Sequence, residues 1–360
     1  MNSAKRFEGG LPRNVRKNDV SADQVELLQP DKLNHELVHK FRPKFLAVGG
    51  EHAVYEFPEH PGLIAKVDYV SFRYTIDWNI AHNLPADAWS EELKEEQDKW
   101  NAGRSGYLRE VKEYFGAEHV LPQKWFTIKV PLPDGLLPLI YERNNQKPPA
   151  NPKEAWATVS IQRRAESLSD PESEPFVARA NSSQINPENM QNFKDVTNHL
   201  IFKFQDAGIA KETFLKTQFH HITSLVAHAD SNPDLQRVLI DFIKRAITYS
   251  KQTGHILDLA GLDNVVFYRQ GDGWSYQLVD AIYPGAYKVS ETREYIAAIA
   301  DGTFAVAMAP NLINTLDYAR TLNGLAELYG IEDRLDIGPL GVEQLPERIF
   351  DELYRMEVAE

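Results

Sequence analysis

Strand-like and helix-like segments are segregated along this chain, and that order limits the fold more than any other feature. Between Phe45 and Arg163 the chain carries short runs rich in branched and aromatic residues. The first three, FLAVGG, AVYEF and LIAKV, are separated by Gly49-Gly50 and by the Pro58–Gly62 turn, which predicts three consecutive antiparallel strands. Trp125–Val130 alternates, with Phe126, Ile128 and Val130 on one side and Thr127 and Lys129 on the other. Leu136–Glu142 and Ala155–Arg163 are read as two further strands, with a polar loop, Asn144–Pro152, between them. One long helix interrupts this half. It is capped by Ser90, acidic in its first turn and stopped at Gly116, with Gly103 and Gly106 as points of interruption.

After Glu166 the pattern reverses. An acidic connector, SLSDPESEPF, leads into helices. Asn186-Pro187 starts one that carries Phe193, Val196, Leu200 and Phe204 on a single face. Asn232-Pro233 starts the best helix in the chain, in which Leu235, Val238, Leu239, Phe242, Ile243, Ala246 and Ile247 keep the 3.6-residue period up to Gly254. A hairpin, Asn264–Arg269 with Trp274–Val279 around Gln270-Gly271-Asp272-Gly273, follows, and the remainder is helical. Strands followed by helices predict an α+β fold. The division is a flexible lead over 1–40 with a short helix at Ser21–Leu28, a β-rich unit over 41–165 and a helical unit over 166–360.

Composition removes several alternatives. A net charge of −13 opposes broad contact with phosphate backbones, so no nucleic-acid partner is expected. Zero cysteines exclude disulfides, thiolate metal sites and a thiol nucleophile. The polar N-terminus is not a signal peptide, and no apolar run approaches the roughly 20 residues a membrane helix needs. The expectation is a cytoplasmic protein without membrane contact.

Four features can carry chemistry. The segment V48-G-G-E-H-A-V-Y-E-F57 puts Gly49 and Gly50 between strands, where bare backbone can approach a phosphate; an ordinary hairpin turn reads the same. In L63-I-A-K66-V67 a lysine sits inside an apolar strand, which needs a partner or an anion unless it faces solvent from an edge. In H255-I-L-D258-L-A-G-L-D-N264-V-V-F an aspartate suited to accept a hydroxyl proton precedes an asparagine suited to hold a metal; turn chemistry is the alternative. In Q277-L-V-D280 a carboxylate ends a buried strand, where Mg²⁺ or a salt bridge would balance it.

Taken in order, these segments resemble the protein kinase superfamily in its broad sense, which includes atypical, bacterial and small-molecule kinases. The resemblance covers 41–360 as topology and implies a two-lobed fold binding ATP and Mg²⁺. The glycine turn is similar to the phosphate-covering loop, Leu63–Val67 to the strand that bears the ATP lysine, His255–Asn264 to the catalytic loop and Asp280 to the metal-binding aspartate. It implies Asp258, Lys66 and Glu110 as catalytic residues. Glu110, or alternatively Glu113, would be the acidic partner of Lys66. Gly49, Gly50, Lys66, Arg164 and Glu166 would contact the nucleotide, the last two through a backbone hinge, and Asn264 and Asp280 would hold the metal. The chain departs from that pattern. Asp258 and Asn264 are six apart instead of five, His255 is three before the aspartate instead of two, and no glycine closes the Asp280 motif. These departures point away from an ordinary eukaryotic-type Ser/Thr kinase and leave an atypical or bacterial-type kinase, a small-molecule kinase or a pseudokinase. Nothing in the helical half identifies the acceptor, protein or small molecule. Adjacent His220 and His221 point different ways on a helix and are not read as a metal site.

Overall fold

In the computed structural model the described residues are 29–48, 52–142, 146–164, 176–177, 220–259, 264–279, 288–303 and 309–336. All structural statements concern these residues. The expected helix at Ser21–Leu28, the acidic connector and the helix after Asn186 lie outside them, as do Gly49, Gly50, Glu166 and Asp280.

The described chain begins with a single 3-10 turn at Pro30–Lys32 and helix α1 (His35–Lys40), whose Asn34 side chain accepts from Leu37 N. Leu33 and Val38 are buried, so this stretch, expected within a flexible lead, belongs to the core. Strands β1 (Lys44–Val48), β2 (His52–Glu56) and β3 (Leu63–Asp68) pair antiparallel in sequence, as the three runs predict. Helix α2 (Tyr69–Ala81) follows at once, capped by Asp68, whose carboxylate accepts from Val70 N and Ser71 N. Helix α3 (Glu91–Phe115) runs without a break through Gly103 and Gly106, from a Ser90 cap to Gly116, which takes φ 87°. Strand β4 (Gln123–Pro131) comes next, then helix α4 (Leu136–Glu142), then strand β5 (Glu154–Arg163).

The run read as a strand over Leu136–Glu142 is thus a helix. Leu136, Leu137, Ile140 and Tyr141 are its buried positions, a helical spacing in which alternate residues do not share a face. The five strands form one antiparallel sheet in the order β1-β2-β3-β5-β4. One face, carrying Ala53, Tyr55, Leu63, Ala65, Val67, Val159 and Ile161, packs with α1, α2 and α4 into a buried cluster.

The later elements are β6 (Phe176–Val177), α5 (His220–Ser231), α6 (Pro233–Thr253), β7 (Val265–Gln270), β8 (Gly273–Leu278), α7 (Thr292–Asp301) and α8 (Ala309–Leu328). Helix α6 has the predicted ends, an Asn232 cap with Pro233 in the first turn and Gly254 left-handed at φ 79°. The predicted hairpin is β7–β8, with β6 alongside β7. Leu235, Leu239, Phe242, Ile243, Ala246 and Ile247 centre a second buried cluster, to which β7, β8 and α8 contribute. Helix α3 joins the two regions. Its last turns bury Leu108, Val111 and Phe115 in the second cluster, while Asn101 and Gln97, earlier in the same helix, bond Thr127 and Thr158 on the sheet. The architecture is mixed helix and antiparallel sheet, an α+β class. No described helix is long and apolar enough to cross a membrane.

Candidate functional site

The segment after α6 is built to hold two polar side chains on an apolar anchor. Left-handed Gly254 ends the helix and redirects the chain. Ile256, Leu257 and Leu259 then enter the second buried cluster, each at most 1% exposed, which leaves His255 and Asp258 half-buried on the other side. His255 Nδ1 lies 3.1 Å from Glu110 Oε1. An ionised carboxylate can only accept, so His255 carries the Nδ1 proton and donates. Glu110 therefore reaches the loop of Asp258, a contact that sequence spacing did not indicate.

Asn264 is 4% exposed and donates from Nδ2 to the Asp258 carbonyl at 3.1 Å. Its own carbonyl accepts from Val279 N at 2.8 Å, in register with the Val265–Leu278 pair of the hairpin. One asparagine thus ties the Asp258 backbone to the strand end that immediately precedes Asp280. With Nδ2 committed to the carbonyl, Oδ1 is the atom left for a cation, and an amide oxygen suits a hard ion such as Mg²⁺. Among the described residues no three His, Cys, Asp or Glu side chains converge on a metal position.

Aromatic rings surround the Glu110–His255 pair. Tyr107 packs against His255 with centroids 5.2 Å apart, and Tyr249 meets Tyr107, Tyr114 and Phe115. Burial pushes the Tyr107 phenol up to about 12, against the lowering influence of the Tyr249 hydroxyl beside it, and the nearby carboxylates of Glu110 and Asp258 push the same way as burial. The Tyr249 phenol is raised further, by burial first and by Tyr107 and Glu110 beside it. Arg245 fastens this end of α3 to α6, donating from Nη1 to the Phe115 carbonyl at 2.8 Å and from Nε to Asp241.

Lys66 stands on an interior strand, between Val54 of β2 and Ser160 of β5, so it is not on an edge. It is half-buried on the face opposite Leu63, Ala65 and Val67, and its cross-strand row continues through Ser160 to Trp125. Two residues on, Asp68 shares that face. Its Oδ2 accepts from Arg104 Nη2 of α3 at 3.2 Å. Burial lowers the Arg104 guanidinium, and the Asp68 charge opposes that. Arg104 and Glu110 are six residues apart on one helix, about 9 Å along its axis, so α3 touches the lysine-bearing strand and the Asp258 loop within two turns.

Arg164 is anchored differently from the expectation. Its N–H donates to the Gly62 carbonyl at 2.9 Å, and its guanidinium pairs with Glu56 at 3.4 Å. That N–H is occupied and cannot also meet a nucleotide base; only the carbonyl remains for the hinge role. Of the residues expected at the site, Glu110 bonds His255 of the Asp258 loop and Asn264 holds the Asp258 carbonyl, while Lys66 lies on the strand whose Asp68 meets Arg104 of α3; Glu110, expected as the partner of Lys66, is thus engaged by His255.

No protein-family model matches this chain, no curated protein matches it in sequence, and no solved structure matches it.

Proposed function

We propose that this chain is an ATP- and Mg²⁺-dependent phosphotransferase of protein-kinase-like arrangement, with a strand-rich lobe over 41–165, a helix-rich lobe over 166–360 and the nucleotide between them. The observation that carries this reading is the double engagement of α3. It holds the strand of Lys66 through Arg104 and Asp68, and it holds the loop of Asp258 through Glu110 and His255. A helix that couples an ammonium-bearing strand to a carboxylate-bearing loop is what phosphoryl transfer asks of a scaffold, because its catalysis is mostly positioning and charge stabilisation.

In this reading Lys66 neutralises phosphate charge and the Gly49–Gly50 backbone covers the phosphates. Glu166 and the Arg164 carbonyl face the base. Asn264 Oδ1 and Asp280 would hold Mg²⁺, which when bound neutralises charge on the phosphate oxygens. Asp258 takes the proton of an acceptor hydroxyl as its oxygen attacks the γ-phosphorus. The bond from that phosphorus to the bridging oxygen breaks, and ADP leaves with the electron pair. Glu110 acts through His255, setting the position of the Asp258 loop.

A second reading, a nucleotide-binding module with little turnover, is favoured by the six-residue Asp258–Asn264 spacing and by the occupied Arg164 N–H. The test is a thermal shift with ATP, with and without Mg²⁺, followed by an ATP-turnover assay on the wild type, Lys66→Ala and Asp258→Asn. The first reading expects Mg²⁺-dependent stabilisation, weakened in Lys66→Ala, and turnover abolished in Asp258→Asn with binding kept. Binding without turnover in the wild type selects the second, and absence of any nucleotide effect removes both.

A further inference from the structure

The short helix α1 opens on the sequence H35-E-L-V-H39, the H-E-x-x-H spacing in which histidines at i and i+4 share one helix face and can grip one metal ion. The Asn34 cap starts the helix at His35, and Val38 is its buried residue. His35 and His39 are therefore left exposed, one turn apart. Both line a recess of about 420 Å³ between α1, the first half of α3 and the edge strand β4, where the His39 ring meets Trp156 edge-on with centroids 5.8 Å apart.

The same nitrogen of each ring is presented to the other. His35 Nε2 and His39 Nε2 lie 2.9 Å apart, so one ring donates, the other accepts, and two lone-pair positions share one proton. That separation is also the one a metal ion imposes on two neighbouring imidazoles. With metal–nitrogen bonds of about 2.0–2.1 Å, the two nitrogens stand about 2.9 Å apart at a right angle and about 3.3 Å apart at the tetrahedral angle. Right angles suit the tetragonal ions Cu²⁺ and Ni²⁺, and the wider angle suits Zn²⁺. When the donating ring carries its proton on Nδ1 instead, both Nε2 lone pairs are free. A small turn of two exposed rings then aims them at one point.

The site differs from that of a zinc peptidase, which carries the same spacing. A catalytic zinc takes three protein ligands, and among the described residues no third His, Cys, Asp or Glu joins this pair. Asp98, on the α3 wall of the recess, is engaged by Lys94 at 2.9 Å. Glu36, the residue that would serve as the base, pairs with Lys40 at 3.3 Å. The arrangement suits binding of an ion and not hydrolysis of a peptide.

We propose that His35 and His39 form a two-histidine chelate for a late first-row divalent ion, Cu²⁺ in preference to Ni²⁺ and Zn²⁺, with water in the remaining positions. The preference follows the ordinary order of affinity of nitrogen sites. The inference is independent of the phosphotransfer reading, because Mg²⁺ takes oxygen ligands and neither histidine belongs to that machinery.

The experiment titrates the full-length chain with CuCl₂, NiCl₂ and ZnCl₂ in excess Mg²⁺, read by quenching of tryptophan fluorescence and, for Cu²⁺, by electron paramagnetic resonance. The variants are His35→Ala, His39→Ala and Glu36→Gln, each checked by circular dichroism. In a chelate the second bond forms within the molecule, so loss of either ring should weaken Cu²⁺ binding about tenfold or more. The resonance spectrum of the wild type should show two imidazole nitrogens, and Glu36→Gln should bind as the wild type does. The proposal is overturned if Cu²⁺ gives no saturable response, if both histidine variants bind it as the wild type does, if Glu36→Gln weakens it as much as they do, or if Mg²⁺ displaces it.

Discussion

Glu110 Oε1 and His255 Nδ1 lie 3.1 Å apart, so a helix that begins against the sheet reaches across 145 residues of sequence to steady the loop of Asp258. A charge-assisted, half-buried bond of this kind contributes on the order of 1–2 kcal/mol. In a double-mutant cycle of Glu110→Ala and His255→Ala, read by urea unfolding, the coupling energy should be about 1 kcal/mol. If the two losses simply add, the pair does not hold the loop. In the proposed reaction Glu110→Ala should lower turnover well before it weakens ATP binding, because Glu110 acts on the position of Asp258 and not on the nucleotide.

Asn264 gives a sharper test of the loop. Asn264→Ala removes the Nδ2 donor to the Asp258 carbonyl from a site 4% exposed, and should cost about 1–3 kcal/mol in urea unfolding. Asn264→Asp keeps the side-chain oxygen but replaces the donor with a second acceptor facing a carbonyl. It should destabilise at least as much as alanine at neutral pH, while keeping a metal-seeking oxygen. Wild-type stability in both variants would show that the Asp258 carbonyl does not depend on this bond.

Local signals made much of the fold legible. Three short β-branched runs, the Ser90 and Asn232 caps and the helical period of 235–247 all mark structure within a few residues of themselves, and the chain folds as they indicate. Where local signals conflict, the reading fails. Leu136–Glu142 is too short to display a period and contains Pro138, so its apolar content passed for a strand. Tyr69–Ala81 went unread because Tyr, Val, Phe, Thr, Ile and Trp favour strands; its helix rests on the Asp68 cap and on burial of Phe72 and Ile76 against the sheet. At the candidate site the sequence leaves Lys66 open between an inner position and an edge strand; its inner position comes from β5 pairing alongside β3, which no local signal announces. The Glu110–His255 bond does not follow from anything local, since its partners meet only after both cores have formed.

Asp68 has two structural duties, which substitutions can separate. Its Oδ1 caps α2 through Val70 N at 2.6 Å, and its Oδ2 meets Arg104 at 3.2 Å. Asparagine is also a good cap but carries no charge. Asp68→Asn should therefore cost about 1 kcal/mol, from the ion pair alone, and Asp68→Ala about 2–3 kcal/mol, from ion pair and cap together. The check is the thermal midpoint of each variant alongside Arg104→Ala. Equal losses for Asp68→Asn and Asp68→Ala would mean that the cap contributes nothing.

The buried phenols set the alkaline limit of the fold. Burial raises Tyr107 to about 12, and it raises Tyr55, Tyr249, Tyr276 and Tyr329 above their ordinary value as well. In the unfolded chain a phenol ionises near pH 10, so above that pH the unfolded state binds fewer protons than the native state, and stability falls as pH rises. The contribution of Tyr107 is intact below about pH 10 and is lost on the way to about pH 12; the shift corresponds to on the order of 2–3 kcal/mol. Absorbance at the phenolate band, followed together with far-ultraviolet circular dichroism, should resolve the 15 tyrosines into two sets. One set should ionise reversibly with the fold intact, and the other only as helix content collapses. Tyr107→Phe removes a buried hydroxyl whose neighbour is the Tyr249 hydroxyl in less than good hydrogen-bond geometry, so it should cost no more than about 1 kcal/mol at pH 7 and shift the alkaline collapse upward. Reversible ionisation of every tyrosine in a single step near pH 10, with the dichroism unchanged, would mean that these rings are not packed where the two cores place them.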